Sequence, residues 1–266
     1  MAAIPCYKGF LAADTSASLK NLFLYAQHAT PRIEWIRMVS TGCPVLPRVR
    51  NSMVAKMFAE GCDGILFIDD DIGFNPEDVY RMLGHGFGLV GAVPQKRNAR
   101  WNDPPILAIS PQRLRVNKDL GLATPEEPRL PMALTFISAQ CFRDIAEANL
   151  APQIMYPVVG EESQKHMRMY FGYELTPCPD WSAEAQMAAK LGIENPHSED
   201  GEDHYFCRRA AQVGYEPIID LEVELRHWEG QVKHDYSFKK FFAENPEVLR
   251  PVPADDAHQT LAEEAA

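Results

Sequence analysis

The sequence predicts an α/β protein of three layers, with helices on both faces of a central sheet that is parallel at first and mixed later. Three observations carry this. Gly64-Ile65-Leu66-Phe67-Ile68 packs four large apolar residues together, two of them β-branched, and stops at Asp69-Asp70-Asp71. Such a run reads as a strand buried on both faces of a mostly parallel sheet. Strand-like and helix-like stretches then alternate in the rhythm of βαβ units. Finally, the helical stretches begin and end at residues suited to helix termini.

In order, Ile4-Pro5-Cys6-Tyr7 reads as a short first strand entering a loop. Ser16 to His28 reads as a helix with Leu19, Leu22, Phe23 and Ala26 at helical spacing, and Ile33 to Val39 as a second strand. Asn51 to Glu60 is a helix with Met53, Val54, Met57 and Phe58 on its apolar side, closed by Gly61. After the Asp-rich strand, Asn75-Pro76-Glu77-Asp78 supplies a cap, a first-turn proline and first-turn acids for a helix to Leu83. Leu89 to Val93 is the next strand. Past Gln95 the rhythm breaks. Ile106 to Ile109, Arg113 to Val116 and Leu134 to Ile137 read as strands of a mixed sheet, and Gln140 to Asn149 as a helix. Gly160 to Asp200 is rich in Pro, Met and aromatics and resists assignment; a segment of that length suits a lid or acceptor-binding region. Asp203 to Val213 is a helix closed by Gly214, Glu216 to Ile219 and Val223 to Leu225 are strands, and Phe238 to Ala243 is a short helix. The organisation expected is a single domain over residues 1–250 and a disordered acidic tail over 251–266.

Composition narrows the class. A chain of 266 residues with 46% hydrophobic and 24% charged residues suits a soluble globular protein. Its net charge of −11 gives no general attraction to nucleic acid or an anionic membrane. No apolar stretch reaches a membrane span and no signal pattern opens the chain, so no membrane span and a cytoplasmic location are expected. The six cysteines form no C-x-x-C pair and sit beside apolar segments, as reduced buried thiols do.

The chemistry centres on Asp69, Asp70 and Asp71. Ligands of open α/β sheets bind beyond the carboxyl ends of the parallel strands, where this cluster falls. Clustered carboxylates repel one another unless a cation sits among them, and hard oxygen ligands suit Mn²⁺ or Mg²⁺. The plain alternative, a solvated loop or a helix cap, is weakened because Asn75 already offers a cap to the following helix. Arg48, Arg50 and Asn51 stand just before a helix, with Lys56 following, and both helix N-termini and arginine forks favour phosphate oxygens. Gln95-Lys96-Arg97 would join them at the same sheet edge if its strand runs parallel. Glu199, Asp200, Glu202 and Asp203 crowd the start of a helix. Acids there complement the helix dipole, yet so many also offer a general base. His227 ends the last predicted strand and can serve as a ligand or as a structural residue.

Taken in order, these residues resemble the GT-A-type, D-x-D-containing, metal-dependent glycosyltransferases, of the compact bacterial and phage kind similar to glycosyltransferase family 2. The resemblance runs from Ile4 to about Gly230. It is carried by Ile4-Pro5-Cys6-Tyr7, Arg48-Val49-Arg50-Asn51, Phe67-Ile68-Asp69-Asp70-Asp71-Ile72, Gly201-Glu202-Asp203-His204-Tyr205-Phe206-Cys207-Arg208-Arg209-Ala210, and His227 followed by Gly230. The resemblance implies a GT-A, Rossmann-like fold and transfer of a sugar from a UDP- or GDP-sugar to the hydroxyl of a glycan, small-molecule or modified-nucleobase acceptor. Asp69, Asp71 and His227 would hold Mn²⁺ or Mg²⁺. Pro5, Cys6 and Tyr7 would line the nucleobase pocket, and Arg48, Arg50, Asn51, Asp70 and Lys96 would complete the donor site. Asp203 would be the base toward the acceptor, with Glu202 beside it. The segment from Gly160 to Asp200 matches no acceptor signature. Two other classes fit the D-x-D tract less well. A phosphatase of the haloacid-dehalogenase type usually carries Thr or Val where this chain has Gly73, and a non-catalytic nucleotide-sugar-binding module would bind donor without turnover.

Overall fold

The computed structural model describes residues 1–248 apart from 7–8, 31–32, 34–35, 41–44, 97–105, 157–164, 178–182, 192–196 and 230–231. The chain opens with β1 (Ala2–Cys6), α1 (Ala13–Ala26), β2 (Ile36–Ser40), α2 (Leu46–Ala59), β3 (Gly64–Ile68), β4 (Ile72–Gly73), α3 (Pro76–Gly84) and β5 (Leu89–Ala92). The middle holds β6 (Leu114–Asn117), β7 (Leu122–Pro125), β8 (Leu134–Ser138), α4 (Ala139–Glu147), β9 (Gln153–Tyr156) and β10 (Lys165–Arg168). The last part holds β11 (Glu174–Pro177), α5 (Ala183–Lys190), β12 (His197–Asp200), α6 (Glu202–Gln212), β13 (Ile218–Asp220), β14 (Arg226–Glu229), β15 (Val232–His234) and α7 (Phe238–Glu244).

Eight strands form one mixed sheet in the order β2-β1-β3-β8-β5-β13-β7-β6. β1 runs parallel to β2 and β3, and β5 runs parallel to β13. β8 is inserted between β3 and β5 and is antiparallel to both. β3 and β5 therefore point the same way, and the carboxyl ends of β1, β3 and β5 share one edge, as the sequence suggested.

Every residue of β3 is buried, and its side chains alternate between two cores. Ile65 and Phe67 pack with Met53, Val54 and Met57 of α2, Phe142 and Ile145 of α4 and Phe206 of α6. Leu66 and Ile68 pack with Leu22 of α1 and Val79 and Met82 of α3. A strand clothed by helices on both sides can be apolar at every position, which is why it lacks the alternation of a half-wet strand. The fold is a mixed α/β architecture with helices on both faces of the sheet.

Several elements depart from expectation. α1 buries Thr15, Ser18, Leu22 and Ala26, while Phe23 is 54% exposed. Polar anchors decide this face: Ser18 Oγ accepts from the Phe74 amide, and Asp14 accepts from Arg226 Nε at 2.7 Å and Trp228 Nε1 at 2.9 Å. α2 begins at Leu46 rather than Asn51, because Pro47 is a favourable first-turn residue. Asn75 makes no side-chain cap to α3; its oxygen accepts from Arg226 Nη1. The Ile106–Ile109 strand reduces to one bridge between Leu107 and Gln95. Val223 and Leu225 are buried but lie before β14 rather than in a strand. The stretch left unassigned, residues 160–200, contributes β10, which pairs antiparallel with the preceding β9, the antiparallel pair β11–β12, and α5. The expected tail, 251–266, lies outside the described residues.

One buried carboxylate ties α3 to the sheet. Asp220, 2% exposed at the end of β13, takes both Arg81 Nε (3.0 Å) and Arg81 Nη2, with His85 Nε2 at 3.2 Å and the Glu222 amide at 3.1 Å. Burial opposes its ionisation, but the His85 and Arg81 bonds prevail and hold its carboxyl below the ordinary aspartate range. A carboxyl depressed in the folded state contributes stability above its unfolded value and loses it as pH falls through the folded value. Arg81→Ala is expected to cost about 2–3 kcal/mol, less than a wholly stranded buried charge because His85 still donates. Asp220→Asn is expected to remove part of the acid sensitivity below about pH 4. Denaturant melts across acidic pH check both; a parental acid limb in Asp220→Asn excludes the linkage.

Candidate functional site

The aspartates leave β3 at the carboxyl edge, beside the end of β1. The Asp69 amide donates to Ala133 O at 2.9 Å, and Asp70 O accepts from the Ala12 amide at 2.9 Å. Pro5 and Cys6 are buried at the end of β1. The Cys6 thiol is pushed up by burial and by the neighbouring Asp70 carboxylate, so the predicted base pocket and Asp70 are adjacent. Tyr7 lies outside the described residues.

His227 reaches this edge through a second, small sheet of order β15-β14-β4. β4 follows the aspartates directly, and its pairing with β14 sets His227 opposite Ile72. The Trp228 amide donates to Asp71 O at 3.0 Å, which fixes the register at the aspartate itself. His227 Nε2 lies 3.5 Å from Asp71 Oδ1. Its other nitrogen, Nδ1, is 2.7 Å from Gln95 O. A carbonyl can only accept, so Nδ1 carries a proton and Nε2 is the ring nitrogen that faces Asp71. An imidazole held in that way by a backbone carbonyl is oriented as a metal-ligating histidine is.

Gln95 organises more than the sequence suggested. Its carbonyl holds His227, its side-chain oxygen accepts from the Tyr236 amide at 3.0 Å, and its side-chain nitrogen lies 3.5 Å from His234 Nδ1. Sequence reading placed it in a basic group only because Lys96 and Arg97 follow. Lys96 is exposed beside it, with its amide bonded to Ile106 O; Arg97 lies outside the described residues.

Asp69 takes a different partner. Arg50 Nη2 donates to Asp69 Oδ1 at 3.1 Å, and Arg50 Nε lies 3.5 Å from Glu202 Oε1. Arg50 is 2% exposed, its guanidinium stands over the Phe67 ring, and its Nη1 has no hydrogen-bond partner among the described residues. A buried guanidinium between two carboxylates bridges the strand edge to the start of α6. Desolvation pushes the Asp69 carboxyl up, Arg50 pulls it back, and Asp71 and Asp70 push it further. Glu202 behaves likewise: burial raises its carboxyl, Arg50 opposes this, and Asp203 and Asp69 add to it.

The remaining predicted residues divide. Arg48 is half-buried in the first turn of α2. Asn51 is engaged elsewhere: its Nδ2 donates to Phe171 O at 2.8 Å, and its Oδ1 accepts from the amides of Tyr170 and Phe171 at 2.9 and 3.0 Å. It clamps the chain ahead of β11 instead of offering its amide to a ligand. Asp203 Oδ1 accepts from the His204 amide at 2.8 Å and lies 3.9 Å from His204 Nε2. Of the four acids near α6, Glu202 alone forms an ion pair with Arg50 among the described residues. Asp200 is buried against Arg208.

Among the described residues no three His, Cys, Asp or Glu side chains gather into a metal-holding group. Asp71 and His227 supply two donors, one hard and one borderline. A small divalent ion that keeps waters and takes phosphate oxygens from its substrate needs no more than one or two protein ligands, so the pair fits such an ion. Asp69 is engaged by Arg50 and lies within reach of the Asp71 charge.

No protein-family model matches the chain, and no curated protein matches it. Among solved structures, A197 from STIV is similar at a TM-score of 0.41 and 10% identity, over 90% of each chain. Among the described residues no helix is long and apolar enough to cross a membrane.

Proposed function

We propose that the protein is a metal-dependent glycosyltransferase with a GT-A fold, moving a sugar from a nucleotide diphosphate donor to an acceptor hydroxyl. The observation that carries this is the pairing of Asp71, just after a buried parallel strand, with an oriented His227 brought from β14. The base-side residues Pro5 and Cys6 beside Asp70, and Glu202 across Arg50 from Asp69, support it. A divalent ion at Asp71 and His227 would neutralise charge on the leaving diphosphate.

The chain's own groups supply the rest. The acceptor oxygen bonds to the anomeric carbon as that carbon's bond to the diphosphate oxygen breaks and its electron pair leaves with the diphosphate. The acceptor proton passes to Glu202, whose burial keeps it a stronger base than an exposed glutamate. Arg50 holds Glu202 and Asp69 in one frame. Asp203, bonded to the amide at the start of α6, positions that helix turn.

A thermal-shift screen tests this. UDP- or GDP-sugars are expected to raise the melting temperature with Mn²⁺ and much less without it, since ligand binding to the native state adds stability by mass action. Equal shifts with and without Mn²⁺, or none with any nucleotide-sugar, would overturn the proposal. Phosphate release from simple phosphate esters would favour the phosphatase class instead.

A further inference from the structure

The β11–β12 hairpin presents two unlike faces. Glu174 pairs with Asp200 and Leu175 with Glu199. Directly opposed residues share a face and neighbours along a strand alternate, so Leu175 and Glu199 lie on one face and Glu174 and Asp200 on the other. The second face is fastened to α6: Arg208 bonds Glu174 at 3.1 Å and pairs with Asp200, and Arg209 reaches Glu174 at 3.3 Å. Among the described residues the first face is exposed. Leu175 is 69% exposed, Tyr173, just before β11, is 51% exposed, and Glu199 is exposed.

This exposed face ends at the candidate site. Because Glu174 opposes Asp200, the chain carries Tyr173 to the end of the hairpin where Gly201 and Glu202 begin α6. The chain just before Tyr173 is anchored: Asn51 clamps Tyr170 and Phe171, and Phe171 is stacked on Phe206 at 4.9 Å. The carboxylates of Glu202 and Glu199 both act on the Tyr173 hydroxyl, which desolvation and these two charges raise above the ordinary tyrosine value.

We infer that Tyr173, Leu175 and Glu199 form the acceptor platform, and that the acceptor joins an apolar ring face to a protonated amine, as an amino sugar does. This rests on the transferase reading of the site. An exposed tyrosine ring beside an aliphatic side chain takes the apolar face of a sugar. A cation is drawn both to the ring face and to the adjacent carboxylates. Glu202 already has Arg50 as its counter-charge; a neutral or anionic acceptor would bring none to the exposed Glu199. The platform adjoins Glu202, so a hydroxyl of the bound ring lies next to the proposed base.

Direct binding tests the platform apart from catalysis. The full chain is titrated by NMR with glucosamine and with N-acetylglucosamine, which keeps the ring and removes the charge, at a pH where the glucosamine amine is protonated. Glucosamine is expected to bind at least about fivefold more tightly. Glu199→Gln is expected to erase most of that preference, and Tyr173→Ala to weaken both sugars while Tyr173→Phe does not. Equal binding of the two sugars, no binding of either, or parental selectivity in Glu199→Gln overturns the inference. Both positions are exposed, so folding is expected to survive all three changes, and melting temperatures verify it. Mn²⁺-dependent nucleotide-sugar shifts on the same variants report the transferase reading separately: those shifts are expected to be parental. Their absence from the parent protein would refute the transferase reading and leave the sugar-binding result to stand or fall alone.

Discussion

Glu202→Gln is expected to slow sugar transfer by about 10²–10⁴-fold, the range that a positioned proton acceptor contributes. Asp203→Asn, one residue along, is expected to cost far less. The two carboxylates differ in surroundings, not in sequence plausibility. Asp203 accepts the His204 amide at the head of α6, where Asn also serves. Glu202 is buried against Arg50, on the side that faces Asp69. Burial, Asp203 and Asp69 lift its carboxyl against the pull of Arg50, and a base lifted toward neutrality takes protons more readily. The sign of the pH dependence follows. A base works deprotonated, so transfer should rise with pH through the raised Glu202 value and level off above it. In Glu202→Gln that acidic limb should vanish along with the rate, while donor affinity stays near parental. Single-turnover transfer against pH, on both variants, measures this. Near-parental transfer by Glu202→Gln, or a collapse in Asp203→Asn alone, would return the base role to Asp203.

What was legible in the sequence, and what was not, follows from where each signal originates. β3 was legible because burial on both faces imposes an unbroken apolar run, and its carboxyl edge follows from parallel topology. Gly61 and Gly214 marked helix ends because the chain adopts φ of +67° and +91° there, which glycine tolerates at little cost. In α1 the reading of Leu19, Leu22 and Ala26 as inward-facing holds, but Phe23 is exposed, because the inward face is partly polar: Thr15 and Ser18 are buried, and Asp14 meets Arg226 and Trp228 across the fold. Spacing alone cannot anticipate partners so far along the chain. The same limit governs Asn51. Its place beside Arg50 suggested a ligand contact, yet on α2 the two side chains diverge, one to Asp69 and one to the chain at Tyr170 and Phe171. Gln95 carried no signal at all, because its main part in the site is played by a backbone carbonyl. The β11–β12 hairpin was unreadable for a related reason: Leu175 and Tyr173 are exposed, so no alternation between core and solvent marks the strands.

Asp71→Ala and His227→Ala are each expected to lower Mn²⁺-dependent donor affinity by more than the about 10–100-fold that follows loss of a group merely orienting a ligand. The pair is contiguous because of a register: β4 begins one residue after Asp71, and β14 lays His227 against Ile72. The Gln95 carbonyl then fixes which ring nitrogen faces the carboxylate. If both residues hold one ion, the losses should not add, since removing the first ligand already removes most of what the second could contribute. Asp71→Ala/His227→Ala should therefore bind donor little worse than either single variant. If the contact at 3.5 Å is instead only an ion pair within the fold, the same changes should lower the melting temperature and leave donor affinity indifferent to Mn²⁺. Asp69→Asn supplies the contrast. Its carboxylate is engaged by Arg50, so its loss should disturb Glu202 and the rate more than Mn²⁺ affinity. Calorimetric titration of Mn²⁺ with UDP and with GDP across these four variants separates the cases. Strict additivity of Asp71→Ala and His227→Ala, or a larger Mn²⁺ defect in Asp69→Asn than in either, would require a metal site built around Asp69 instead.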